Sequence, residues 1–315
     1  MNAAVLHQFG SPPRFEQFTD PVPIDDEAIV HVRAASLKPV DKQLASGTHF
    51  ARQHLLPHIC GVDGVGVLED GTRVFFGGPR APYGAMAERT VVPRRFCFSL
   101  PYEVDDATAA ALPNPGVSAW LSLAWRARLK QAESVLILGA TGTTGRLAVQ
   151  IAKILGAGRI VAAGRNQAVL HSLPVDATIR LDQSREELIA AFRQQGSFDV
   201  IIDYVWNGPT EALLAALTRD EFVVAGPEIR LIQVGESAGS QIGLSAAALR
   251  STPLTIRGTA GVPPPDVLSE AFATVMRYAA RGDLRIETER VPLALVEEAW
   301  QRHSHGHRIV LVPSG

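Results

Sequence analysis

The sequence predicts an α/β chain in which a doubly wound parallel sheet is set between β-rich segments. Three observations carry this reading. Ser134 to Arg146 has the pattern of a buried strand, a glycine-spaced turn and the start of an amphipathic helix. Between residues 116 and 261 short apolar runs alternate with helical periodicity, as in successive βαβ units. Before them, short alternating runs are broken by Pro and Gly clusters such as Gly77-Gly78-Pro79, a β-rich signature.

In chain order the early strands are expected at Ala3–His7, Ile29–Ala35, Arg73–Phe76 and Arg89–Val92, each a period-2 run. Val135–Leu138 is then a fully apolar strand, and the helix after it places Leu147, Ala148, Ile151, Ile154 and Leu155 on one face. Strands follow at Arg159–Ala163, Thr178–Leu181, Asp199–Asp203, Phe222–Ala225, Leu231–Gly235 and Thr255–Gly258. Helices are expected at Arg185–Gln195, near Thr210–Leu217 and near Ala246–Arg250. The tail reads as helix Val267–Arg281, strand Arg285–Val291, helix Ala294–Arg302 and strand Arg308–Val312. The domain expectation is therefore residues 1–115 completed by 262–315, with 116–261 inserted between them.

Gly139, Gly142 and Gly145 sit between the first parallel strand and its helix. Glycines there let a backbone approach a pyrophosphate, and the free N–H groups and dipole of a helix start favour its charge. The spacing is G-x-x-G-x-x-G, so the flanking strand and helix carry the argument more than the triplet does. About twenty residues further on, the second strand runs into Gly164-Arg165-Asn166. An acidic residue there would take a ribose 2′-hydroxyl, whereas a cation such as Arg165 suits a 2′-phosphate. The expected cofactor is NADPH.

Composition narrows the remaining classes. The chain has 315 residues, 46% hydrophobic and 20% charged, with a formal net charge of -2. That balance gives no reason to expect nucleic acid or an anionic membrane as partner. The two cysteines, Cys60 and Cys97, form no C-x-x-C pair, so neither a disulfide framework nor a thiolate zinc site is expected. The first residues lack a basic segment and a long apolar run, and no stretch approaches the ~20 apolar residues of a membrane span, so a cytoplasmic protein is expected.

Beyond the glycine loop, five segments carry a resemblance. They are Ala34-Ala-Ser-Leu-Lys-Pro-Val-Asp41, Gly61-Val-Asp-Gly-Val-Gly66, Tyr83-Gly-Ala-Met-Ala-Glu88, Gly139–Gly145 and Gly306-His-Arg-Ile-Val-Leu311. In their order along the whole chain they resemble the medium-chain dehydrogenase/reductase superfamily, within it the zinc-free quinone oxidoreductase branch related to zeta-crystallin. The resemblance implies a GroES-like β-rich catalytic domain, a Rossmann domain, NADPH and a homodimer. The Cys, His and Cys that bind zinc in metal-dependent relatives fall here on Lys38, Val62 and Asn114, none of which is a usual zinc donor. His54, His58 and Cys60, and the alternating His303, His305 and His307, are not expected to hold a metal either.

Without a Lewis acid the favoured reaction is hydride delivery to an acceptor that is already electrophilic. The leading reading is reduction of a quinone. An enone or enoyl (alkenal) double-bond reductase on the same scaffold is the alternative, and an NADPH-binding sensor or structural protein with little turnover is the second.

The resemblance assigns further candidates. Lys38 stands where the quinone reductase pattern has Asn; it is read as polarising the acceptor oxygen, protonating the product or binding a cofactor hydroxyl, or else as a solvated loop lysine. Asp41 either serves the site or braces the loop, and Tyr83 contacts substrate, donates a proton or packs. Ser118 aligns with a family Thr near the nicotinamide, with Asn114 one helical turn earlier. Gly235, Glu236 and Ser237 follow a strand at the carboxyl-end crevice, and Arg308 falls where relatives carry a cation toward the cofactor. Thr143-Thr144 replaces a more usual Gly-Val inside the loop, and Leu181 replaces a cofactor-contacting Tyr, shifting weight to Arg165 and Arg180.

Overall fold

The computed structural model describes residues 1–48, 55–218, 226–259, 261, 263–302 and 306–313. They form two compact units, Met1–Asn114 with Met276–Gly315, and Pro115–Val275. The sequence places the return to the first unit at 262; the contacts place it at Val275/Met276, inside the helix Pro265–Ala280. The expected strand Phe222–Ala225 lies outside the described residues, as do His49, His54, His303 and His305.

The first unit is built on a seven-stranded sheet. Six strands run in the order Thr288–Pro292, Arg308–Val312, Glu27–Ser36, Asp63–Leu68, Arg73–Gly77 and Cys97–Ser99, and Arg89–Pro93 also pairs with Glu27–Ser36. In the long central strand Ala28, Val30, Val32 and Ala34 are buried while His31 and Arg33 face solvent, the alternation a pleated strand imposes. A register shift between Val32 and Ala34 then bends the strand. Its end pairs with the C-terminal strand, Ser36 against Val310 and Ala35 against Leu311, which carries Arg308 back beside the residues following Ser36. Leu6, Val30, Phe76, Met86 and Leu311 form the core between this sheet and a three-stranded one of Arg14–Gln17, Asn2–Leu6 and His58–Ile59.

Two helical segments of this region go beyond the sequence reading. Pro39–Ser46 starts with its proline in the first turn, where the missing N–H costs nothing. Asp106–Ala111 is capped by Asp105, which accepts from the N–H groups of Ala107 and Thr108, and leads into Pro113–Trp120.

In the second unit we number the strands β1 (Ser134–Leu138), β2 (Arg159–Gly164), β3 (Ala177–Arg180), β4 (Val200–Asp203), β5 (Ile229–Gln233) and β6 (Leu254–Gly258). The helices are α1 (Thr143–Ile154), α2 (Gln167–Ser172), α3 (Arg185–Gln194), α4 (Gly208–Leu217) and α5 (Ala246–Ser251). The sheet order is β3-β2-β1-β4-β5-β6, and every pairing is parallel. This is the Rossmann order, with the chain reversing direction across the sheet between β1 and β4. Val135 to Leu138 are wholly buried because helices cover both faces of a parallel strand. Each of these side chains contributes ~1.5–3 kcal/mol by leaving water. The α1 face expected from the sequence is inward at Leu147, Ala148 and Ile151, while Ile154 and Leu155, at the helix end, are half-buried.

Candidate functional site

The turn from β1 into α1 is closed tightly on itself. The N–H groups of Gly139 and Ala140 both donate to the Ala163 carbonyl at 2.8 and 2.9 Å, and Gly142 N–H donates to the Gly139 carbonyl at 3.0 Å. Gly139 has φ +85°, a left-handed conformation that favours glycine. A Cβ on Gly145 would strike the Gly139 carbonyl and lie 2.6 Å from Ala140 Cα, so only glycine lets the helix start this close to the strand. The helix begins at Thr143, with Gly142 as an N-cap that has no side chain to offer. Thr143 and Thr144 are therefore first-turn residues rather than a loop crowding the phosphates. With Gly145 they hold N–H groups that lack a carbonyl four residues back, at the positive end of the helix.

One strand over, Gly164 ends β2 in register with Arg180 on β3. Arg165 follows it, exposed; its charge is felt by the Asp182 carboxylate, but it makes no hydrogen bond or ion pair among the described residues. Asn166 is the N-cap of α2, its carbonyl oxygen accepting from Val169 N–H at 3.1 Å. Arg180 is spent on Asp182, with Nε at 3.0 Å and Nη2 at 2.5 Å from the two carboxylate oxygens. Of the two arginines read from the sequence, Arg165 is the one left for a ligand.

Across the reversal point, Gly235 N–H donates to the Asp203 carbonyl at 3.1 Å, and the Ser237 hydroxyl donates to the Tyr204 carbonyl at 3.0 Å. Gly235 and Ser237 thus brace β4 against β5, and the Glu236 carbonyl closes the turn by accepting from Gly239. The sequence reading passed over Asp203. Its buried carboxylate accepts from Val205 N–H at 2.8 Å, Trp206 N–H at 2.9 Å and the Thr210 hydroxyl at 2.6 Å. It clamps a turn in which Trp206 and Asn207 both have positive φ, 57° and 58°.

In the first unit, Lys38 and Arg308 fall in one buried cluster. Lys38, read as a lysine facing the acceptor or a cofactor hydroxyl, or else as a solvated loop lysine, is 1% exposed and so is not solvated. Its ammonium donates to the Ser36 carbonyl at 2.9 Å, the Ser36 hydroxyl at 3.2 Å and Asp63 Oδ1 at 2.8 Å, which exhausts its donors. Burial alone would lower its pKa, but the Asp41 and Asp63 carboxylates outweigh burial and hold it above the ordinary lysine value. It is a fixed cation and not a proton donor at neutral pH. Arg308, read as reaching the cofactor, is buried in the same cluster and donates from Nη1 to the Leu37 carbonyl at 3.3 Å. Asp41 braces the cluster, accepting from the N–H of Lys38 at 2.8 Å and of Val62 at 3.2 Å.

Tyr83 also has its proton committed, donating to the Asp20 carbonyl at 3.2 Å with its ring edge-on to Phe18. It still lines a cavity of about 180 Å³ within this unit, together with Asp41, Leu44, His58, Cys60 and Val62. The Cys60 thiol there is pushed far above its usual range by burial. Asn114 is exposed and Ser118 half-buried, one turn apart on the helix Pro113–Trp120. Among the described residues no group of three or more His, Cys, Asp or Glu is placed to hold a metal ion.

No family model matches the chain. The quinone oxidoreductase of Homo sapiens is 33% identical over 227 residues, covering 66% of this chain and 67% of that protein. The chain belongs to the quinone oxidoreductase family of medium-chain dehydrogenases/reductases. Two more members of that family align along nearly the whole chain. A probable NADPH-dependent quinone reductase of Emericella nidulans is 25% identical over 99% of this chain and 100% of its own length. The quinone oxidoreductase of Thermus thermophilus, solved alone and with NADPH, superposes with a TM-score of 0.79 at 26% identity, over 99% of this chain and 100% of that one. In this member of the quinone oxidoreductase family the glycine turn, Arg165 and the braced β4–β5 turns gather at one edge of the Rossmann sheet. Lys38, Asp41 and Arg308 gather instead inside the first unit.

Proposed function

We propose that this chain is an oxidoreductase that uses NADPH to reduce a quinone without a metal. The observation that carries the cofactor is the pairing of an uncapped α1 N-terminus, under a turn where only glycine fits, with the unpartnered guanidinium of Arg165 at the end of the neighbouring strand. The first suits a pyrophosphate and the second a 2′-phosphate. Bound NADPH would supply the hydride. Thr143, Thr144 and Gly145 would hold the pyrophosphate through main-chain N–H groups, while Gly139 and Gly235 let the turns pack closely on Tyr204. Asp203 fixes the turn after β4 against which the nicotinamide half would lie.

The quinone is proposed to bind in the cavity lined by Leu44, His58, Val62 and Tyr83, whose walls are largely apolar. Lys38 supplies a buried charge to that unit, and the reduced acceptor is proposed to take its proton from water. The relatives named above carry the quinone assignment, since their names specify quinones.

We also propose a homodimer. β6 is an edge strand whose Leu254, Thr255 and Ile256 are only half-buried, and Leu244 and Leu249 are exposed large apolar residues of the same unit. Among the described residues no helix is long and apolar enough to cross a membrane. Two free thiols, Cys60 and Cys97, accord with a reducing, cytoplasmic setting.

The test is consumption of NADPH and NADH, followed by absorbance, with benzoquinone, naphthoquinone, an alkyl enone and an alkenal. Loss of NADPH with the quinones is the expected result. Loss with the enone or alkenal alone would move the activity to double-bond reduction, and binding without consumption would indicate a sensor.

A further inference from the structure

His58 is a polar residue in an apolar place. It sits on the short strand His58–Ile59 opposite Leu6, is 6% exposed, and packs beside the Phe9 ring with centroids 6.3 Å apart. Its Nδ1 lies 2.7 Å from the Leu55 carbonyl oxygen. A carbonyl only accepts, so Nδ1 must carry the proton and donate. Burial holds the imidazole pKa below the usual histidine value, so at neutral pH the ring is uncharged and Nε2 presents a lone pair. That nitrogen has no partner among the described residues, and it is not among the unpartnered polar atoms sealed from solvent.

Among the described residues, His58 Nε2 is the acceptor in this cavity that holds no hydrogen bond of its own. Leu44, Ala45, Ile59, Val62 and Pro79 are apolar, the Tyr83 hydroxyl is already bonded to the Asp20 carbonyl, and each Asp41 oxygen already accepts one of the two N–H groups named above. The oxygens of an unsubstituted quinone are acceptors only and would meet the Nε2 lone pair with nothing to share. A substituent bearing O–H satisfies both partners.

Resting on the quinone reading above, we propose that His58 Nε2 selects acceptors carrying a hydroxyl-bearing substituent, by accepting a hydrogen bond from that hydroxyl. The role belongs to binding and selection, not to the hydride step.

The test compares a naphthoquinone bearing a hydroxymethyl arm with its methyl ether. Dissociation constants are taken from quenching of tryptophan fluorescence and kcat/KM from NADPH consumption, for the wild type, His58→Phe and His58→Gln. The wild type is expected to prefer the hydroxyl compound about 10-fold, the order expected of one buried hydrogen bond. His58→Phe should abolish the preference, and His58→Gln, which keeps an acceptor on a side chain of similar reach, should restore part of it. NADPH affinity and melting temperature show that each variant is folded. Equal binding of the two compounds by the wild type, or an undiminished preference in His58→Phe, overturns the proposal. If neither compound is reduced, the quinone reading fails by itself, and the binding ratio still decides the role of His58.

Discussion

Lys38 Nζ lies 2.8 Å from Asp63 Oδ1 and 3.4 Å from Asp41 Oδ2, and all three residues are buried. This ion cluster ties the turn after Ser36, the start of the helix Pro39–Ser46 and the start of the strand Asp63–Leu68 into one block. Removing one partner leaves an uncompensated buried charge, which typically costs ~3–5 kcal/mol. Lys38→Met is expected to lower stability by about that amount in urea denaturation. Lys38→Met with Asp63→Leu should recover most of it. A loss no larger than that of a surface substitution would show that the cluster does not hold the unit together.

The same cluster predicts a pH response. The folded pKa of Lys38 is raised above 10.5, so its contribution is fully present below pH 10.5 and is lost as the pH rises through the folded value. Stability and activity should therefore show no titration of Lys38 between pH 6 and about 10. A Lys38-dependent ionisation in that window, absent from Lys38→Met, would contradict the assignment.

His58 predicts the opposite slope. Its folded pKa is depressed below 6.5, so its contribution is present above pH 6.5 and is lost as the pH falls through the folded value. His58→Phe should flatten the fall in melting temperature on acidification from neutral pH. An unchanged acid slope would mean that the imidazole is not held neutral.

Asn207, at φ 58° and ψ -146°, sits in a backbone region that is essentially reserved for glycine. Asn207→Gly is expected to raise stability by about 1 kcal/mol through relief of strain, less the small loss of its capping bond to Gly208 N–H. Thermal denaturation checks this, and a lowered melting temperature would show that the cap matters more than the strain.

Gly145→Ala brings a Cβ onto the Gly139 carbonyl, which must move for the helix to start. A loss of at least 10-fold in NADPH affinity is expected, read by fluorescence titration against a melting-temperature control. Unchanged affinity would remove the turn from the proposed cofactor site.

The sequence revealed the Rossmann unit far better than the ion cluster, for a physical reason. The β1–α1–β2 segment is largely local: Gly145 answers to Gly139 and Ala140, and β1 pairs with the neighbouring β2, so the Gly139–Gly145 turn and Arg165 could be read directly. The start of α1 at Thr143 needed the Gly142 cap geometry, which no residue type announces. Lys38 meets Asp63 across 25 positions, and Arg308 meets Leu37 across 271, the latter only because the C-terminal strand pairs with Ala35 and Ser36. The resemblance made these residues candidates for the site; sheet pairing buries them. Asp203 was missed because a lone acid ending an apolar strand gives no sign that it clamps the turn behind it.

The central claim, NADPH held through Arg165, is tested most directly by titrating NADPH and NADH into the wild type and Arg165→Ala. Loss of one charge-assisted contact should weaken NADPH by ~1.5–3 kcal/mol, roughly 10- to 100-fold, and leave NADH nearly unchanged. Equal affinity of the wild type for both cofactors, or equal losses in the variant, would contradict it.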